Sequence, residues 1–308
     1  MEYPLLTDAK LLMLKQLALH GAKPTGNDLQ SIMTSFFNLK HKFIKNQLRK
    51  VVMSRGLQAK ASVLNLDAIL KTVAQHFTDG SDVNPYLSKG IIRAGKHDFL
   101  LNDWEIHHLH LNDKKDKPAD YFKQRSSQLL FAHITPETAY FIDIRHHNEN
   151  LVFAQRDLLR IVRDNWPDLN RKFLVQEEPM EVFPKHDEQG IHNLRKGSFL
   201  FFTQVDDHAY MPGLGSAVSG FSMKAGMEMN AFCAQLYKIH SYISENEQKL
   251  KDRLAAKSGL DLKSVNFVLA LKDWTFYVYE ENSRHLLNFE LSGYTPAFGD
   301  AEISRPTN

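Results

Sequence analysis

The stretch "SQLLFAHITPETAYFIDIRHH", Ser127 to His147, decides how the rest of the chain is read. Two strongly apolar runs flank the short polar break "TPET", which predicts a β-hairpin. In its second strand Phe141, Asp143, Arg145 and His147 fall on alternate positions and are expected on one face. A carboxylate, a guanidinium and an imidazole would then line up on a single strand.

Upstream, "LLNDWEIHHLHLND" (Leu100 to Asp113) holds His107, His108 and His110. If Trp104 to Leu111 is extended, Ile106, His108 and His110 share one face, while His107, Leu109 and Leu111 share the other. The leucine face is the expected core side, so His108 and His110 should point to a groove or to solvent. Downstream, Leu151, Ala154, Leu158, Leu159 and Val162 recur near helical spacing until Pro167 closes the segment. The middle of the chain therefore reads as strand, hairpin and helix.

Before it, two apolar stripes at helical spacing (Leu11, Leu14, Leu17 and Ala18, then Leu29, Ile32, Met33, Phe36 and Phe37) predict helices separated by "KPTGND", with Thr25 or Asn27 as N-cap. "DGSDVNPYLSKG" has loop chemistry and suggests a boundary near residue 90. After residue 170, "KFLVQ", "MEVF" and "GSFLFFTQV" read as short strands. A long helix through Met227, Phe232, Leu236, Ile239, Ile243, Leu250 and Leu254 follows, stopped by Gly259. Final strands turn at "LKDW" and "EENS", and the tail after Gly293 reads as frayed. The expected class is α+β, with a helical, partly basic region (1–90), a small central antiparallel sheet (91–170), and C-terminal strands with one long helix and a terminal hairpin (171–308).

Bulk properties narrow the function. With 308 residues, 43% of them hydrophobic and 24% charged, the chain can bury a sizeable core. No apolar run is long enough to span a bilayer and the N-terminus lacks a secretory pattern, so a cytoplasmic protein without membrane partners is expected. The one cysteine, Cys233, excludes cysteine-rich metal sites and is expected in the core.

The net charge of +2 hides an uneven distribution. Asn38 to Lys60 carries seven cations, including Lys42, Lys45, Arg49 and Lys50, and no acid, so it reads either as a phosphate-binding helix or as a solvated face. "MPGLGSAVSGFSMKAG" has glycines ahead of a helix, but Phe221 and Ser222 stand where a P-loop has its Lys-Ser/Thr pair, and Val218 where a dinucleotide fingerprint has its third glycine. A structural turn is expected there, and no cofactor.

Seven of the fifteen histidines lie between His97 and His147, and they admit three readings. His108 and His110, about 6.5 Å apart along a strand, could bind a metal with a third ligand from His133, Asp143, His146 or His147. Metal-free acid–base chemistry needs proton-transfer groups beside a phosphate-binding cation, a role open to Asp143, Arg145 and His147. The third possibility is a set of ordinary polar groups on a sheet.

Taken together, "DWEIHHLHL", the Lys/Arg-bearing loop, "SQLLFAHITPETAYFIDI", "RHH" and the following helix resemble the compact sheet of the RelE/ParE-like bacterial toxin superfamily, over residues 96–166. The resemblance implies metal-independent RNA cleavage in a toxin-like or phage-defence setting. It marks His108, His110, Arg125, Arg145 and His147 for substrate contact and proton transfer, with RNA or the ribosome and a protein regulator as partners. In that scheme His108 or His110 accepts the 2′-hydroxyl proton, His147 or its neighbour protonates the leaving oxygen, and Arg145 with Arg125 stabilises the phosphorane. The rival functions are a His-x-His metal-dependent hydrolase and a non-catalytic nucleic-acid or partner-binding protein.

Overall fold

The computed structural model describes residues 4–93, 95–217, 220–288 and 302–304. The chain is α+β, as expected. It runs α1 (Pro4–Leu19), α2 (Leu29–Lys42), β1 (Lys50–Met53), α3 (Leu57–Val63), α4 (Asp67–Asp79), α5 (Phe99–Trp104), β2 (Ile106–His110), β3 (Gln128–Ile134) and β4 (Thr138–His146). It continues through α6 (Asp157–Asn165), α7 (Pro167–Arg171), α8 (Glu188–Lys196), β5 (Thr203–Val205) and β6 (His208–Tyr210). The last elements are α9 (Met223–Glu245), α10 (Glu247–Ser258), β7 (Phe267–Lys272), β8 (Thr275–Glu280), β9 (Leu286–Asn288) and β10 (Glu302–Ser304). Among the described residues no helix is long and apolar enough to cross a membrane.

These elements form two compact units, one of residues 41–224 and one of residues 1–40 with 225–308. The boundaries expected near 90 and 170 both fall inside the first unit, because residues 41–90 pack with the central sheet.

In the 41–224 unit the predicted hairpin is present, its turn closed by Thr135 N–H donating to the Thr138 carbonyl at 2.9 Å and Thr138 N–H donating to Thr135 Oγ1 at 3.0 Å. The sheet order is β1-β4-β3-β2. It is mixed rather than antiparallel, since β1, hidden in the basic run, pairs parallel to β4. His107, Leu109, Leu130, Ala132, Phe141 and Ile144 share one face, by the cross-strand register. There the Phe77 ring of α4 meets Phe141 edge-on at 5.7 Å.

The opposite face carries His108, His110, Leu129 and Phe131, and its core includes Leu158, Leu159 and Val162 of the amphipathic α6. A bulge in the β3–β4 pairing lets Phe131 face Asp143 while Ala132 faces Phe141. Ile142 is the extra residue, so Phe141 is turned to the opposite face from Asp143 and Arg145, contrary to simple alternation. Among the short strands expected after 170, only Thr203–Val205 forms one, paired with His208–Tyr210; Leu174 contributes a single bridge to Tyr210.

The other unit carries an antiparallel sheet of order β10-β9-β8-β7. Its β7–β8 turn lies in "LKDW", where Asp273 and Trp274 both take positive φ, as tight hairpins require. The buried stripe of α1 is Leu5, Ala9, Met13 and Leu17, rotated from the expected one, and Leu11 is exposed. Asp28, not Thr25 or Asn27, caps α2 by accepting the Ser31 N–H at 2.8 Å. The single long helix is two helices divided at Asn246, and Gly259 ends the second in the left-handed region. The tail after Gly293 lies outside the described residues except for β10.

Candidate functional site

A cavity of about 440 Å³ opens in the 41–224 unit on the His108/His110 face of the sheet. Strand alternation delivers those two rings to it, and the chain leaving β4 delivers a third. His147 N–H donates to the Ser127 carbonyl at 2.6 Å, which prolongs the β3–β4 pairing and places the His147 ring parallel to that of His110, with centroids 6.0 Å apart. The His108 and His110 rings are 6.5 Å apart and cross at 76°.

Of the seven clustered histidines, His97, His108, His110 and His147 line the cavity. His107 faces the other side of the sheet. His133 pairs with Ile106 and Tyr140 at the far end of the strands, and His146 accepts the Asn148 N–H at 3.1 Å.

Three of the cavity rings, His97, His108 and His110, are pushed toward the neutral form. Burial pulls His110 down to about 4, with the neighbouring His108 adding to the effect, and burial also lowers His108 and His97. His110 Nδ1 lies 3.1 Å from the backbone N–H of Ser126 and 3.4 Å from the Ser126 carbonyl; the shorter contact favours Nδ1 as acceptor, with the ring proton on Nε2. His108 Nδ1 is sealed from solvent without a partner, so Nε2 is the nitrogen left for exchange.

Cations complete this part of the lining. Lys42 is 2% exposed, and its ammonium donates to the carbonyls of Lys96 at 2.8 Å and Arg93 at 3.4 Å. Burial lowers it to about 8. Lys96 and Arg125 stand close enough for Arg125 to depress the Lys96 ammonium, an effect second to burial. Among the described residues, no hydrogen bond or ion pair engages either side-chain cation.

The apolar part of the lining includes Phe99, Leu100, Val152 and Phe153. Phe153 approaches His108 at 5.0 Å and His147 at 6.0 Å between ring centroids. Its carbonyl accepts from Arg195, whose guanidinium is paired at 2.5 Å with Asp103 in a site where both side chains are about 5% exposed or less. Burial pushes the Asp103 carboxyl up against the pull of Arg195.

The expected constellation is therefore only partly assembled. Asp143 and Arg145 share a face with the histidines two strands away, but they engage each other at 2.8 Å. Asp143 also accepts from Lys60 at 2.8 Å, and Arg145 donates to Gln155. Neither lines the cavity, so their role there is corrected to a structural ion pair.

Nor is the basic run one helix. It passes from α2 through an irregular link into β1 and α3, so only its Lys42 reaches the cavity, joined there by Arg125. Lys45 and Lys50 are exposed elsewhere, and Arg49 donates to the carbonyls of Thr135 and Lys45, both at 2.8 Å. Among the described residues no three His, Cys, Asp or Glu side chains are placed to hold a metal ion.

Sequence reading missed Lys96, Phe153, His192 and the Asp103–Arg195 pair. No family model, curated protein or solved structure matches this chain. The RelE/ParE-like resemblance of residues 96–166 accordingly rests on its sequence pattern.

Proposed function

We propose that this cavity cleaves RNA by metal-independent acid–base chemistry. The observation that carries the reading is the convergence of His108, His110 and His147 with the cations of Lys96 and Arg125 in one cavity. Cleavage by a ribose 2′-hydroxyl asks the protein for a proton acceptor, a proton donor and charge stabilisation, and this cavity offers all three.

With its proton on Nε2 His110 is a donor, which leaves His108 to accept the 2′-hydroxyl proton. The 2′-oxygen bonds to phosphorus and the bond to the 5′-oxygen breaks. His147 supplies the leaving oxygen's proton. The neutral His110 N–H, with Lys96 and Arg125, stabilises the phosphorane charge, as a neutral imidazole can polarise an oxyanion without transferring its proton. The products are a 2′,3′-cyclic phosphate and a 5′-hydroxyl. A toxin-like or phage-defence role, with the ribosome or a protein regulator as partner, belongs to the same proposal and draws on the resemblance alone.

The test is incubation of purified protein with total bacterial RNA, with and without chelator, and mapping of the new ends. Cyclic phosphate ends that survive chelation and fall by about 10²-fold or more in His108→Ala and His147→Ala are expected, the usual scale for one acid–base group. Chelator-sensitive cleavage, or full activity in both variants, would refute the reading.

A further inference from the structure

The lining of the cavity combines two chemistries, and the combination specifies a ligand. Its polar part holds the cations of Lys96 and Arg125, with no carboxylate hydrogen-bonded to either among the described residues, close to the imidazoles of His108 and His147. Of the two carboxylates in the lining, Asp98 accepts the Leu101 N–H at the start of α5 and acts on Lys42, Lys96 and His108 through space, while Glu149 accepts the His146 N–H at 2.8 Å. The apolar part includes the half-buried Phe153 ring, which lies 5.0 Å from the His108 ring between centroids and is held through its own carbonyl by the buried Arg195.

A volume of about 440 Å³ lies within the usual range of about 300–1,000 Å³ for small-molecule sites, and is far too small to enclose a duplex. A group that is anionic at one end and flat and apolar at the other matches this lining.

We infer, resting on the cleavage reading, that the cavity takes a single unstacked ribonucleotide, the one whose 2′-hydroxyl attacks, with its base against Phe153 and its 3′-phosphate on Lys96 and Arg125. Base–aromatic contact is indifferent to sequence because every base has a π-face, so selectivity for unpaired nucleotides over a particular base follows. Structured duplex would be spared because unstacking opposes entry.

Calorimetric titration of the full chain with adenosine 3′-monophosphate, uridine 3′-monophosphate, adenosine and inorganic phosphate tests this. Both nucleotides should bind at least tenfold more tightly than adenosine or phosphate alone. Phe153→Ala should weaken both nucleotides about tenfold, the scale of one base stack, and leave inorganic phosphate within twofold. Arg125→Ala should weaken nucleotides and phosphate alike. Phe153→Leu, which keeps apolar bulk without the ring, serves if the alanine variant does not fold.

Nucleotide binding no tighter than phosphate, or untouched by loss of the ring, would overturn the inference even if RNA is cleaved. Nucleotide binding in a protein that cleaves no RNA would instead remove the cleavage reading and leave a nucleotide-binding pocket.

Discussion

At the scale of single residues, the site depends on a buried ion pair that does no chemistry. Asp103 and Arg195 are at most about 5% exposed in their side chains, and Arg195 also fixes the Phe153 carbonyl. Removing one partner strands the other charge in a low-dielectric surrounding, which typically costs about 3–5 kcal/mol. Asp103→Ala is therefore expected to lose about that much in urea unfolding, and to lose nucleotide affinity because the Phe153 wall loosens. A change below about 1 kcal/mol would show that the pair is not a structural anchor. Asp143 and Arg145 teach the complementary lesson, since a carboxylate and a guanidinium two residues apart on a strand can satisfy each other instead of a substrate.

At the scale of elements, the glycine-rich link before α9 acts on the cavity by contact. Gly220 has φ +86°, and a Cβ added there would lie 2.2 Å from the Gly95 carbonyl oxygen and 3.3 Å from His97 Nε2. Gly220→Ala must displace the segment bearing Lys96 and His97, so RNA cleavage should drop several-fold along with a loss of about 1–3 kcal/mol in stability. Gly259 is the control, with φ +73° and nothing within 4 Å of an added Cβ. Gly259→Ala should lose about 1 kcal/mol in stability with cleavage unchanged. Equal activity in the two variants would separate the link from the site.

The sequence made β2, β3 and β4 legible because alternation and a turn motif are local signals. β1 was not legible, because Lys50–Met53 is held by its parallel partner β4, which lies almost ninety residues away. The bulge at Phe131/Ala132 breaks the period that alternation assumes, and so Phe141 was placed on the wrong face. His108, His110 and His147 could be anticipated from spacing. The pairing of Asp103 with Arg195, 92 residues apart, leaves no local trace.

For the whole molecule, the buried histidines set the pH limit of the fold. Burial holds His107 at about 3 and His110 and His133 at about 4, against about 6.5 in an unfolded chain. Both His107 ring nitrogens are sealed without partners, which is the geometry that disfavours its charged form. Above pH 6.5 all three are neutral in both states and impose no penalty. As pH falls below 6.5 the unfolded chain binds protons that the folded chain refuses, so stability declines until the folded values near 4 and 3 are reached.

Each group contributes about 1.4 kcal/mol per pH unit inside that window, so the three together would remove about 4 kcal/mol per unit near pH 5. The loss reaches about 6 kcal/mol by pH 5 and about 9 kcal/mol by pH 4, so a domain whose stability lies between those figures, inside the usual range of about 5–15 kcal/mol, should open between pH 5 and 4. Denaturant unfolding at pH 8, 7, 6 and 5 is expected to be level across the first two and to fall steeply across the last two. All three histidines belong to the 41–224 unit, so hydrogen exchange at pH 5 should accelerate there first. His133→Leu should flatten the slope by about 1 kcal/mol per pH unit, and a free energy constant from pH 8 to pH 5 would mean that these rings are solvated enough to protonate in place.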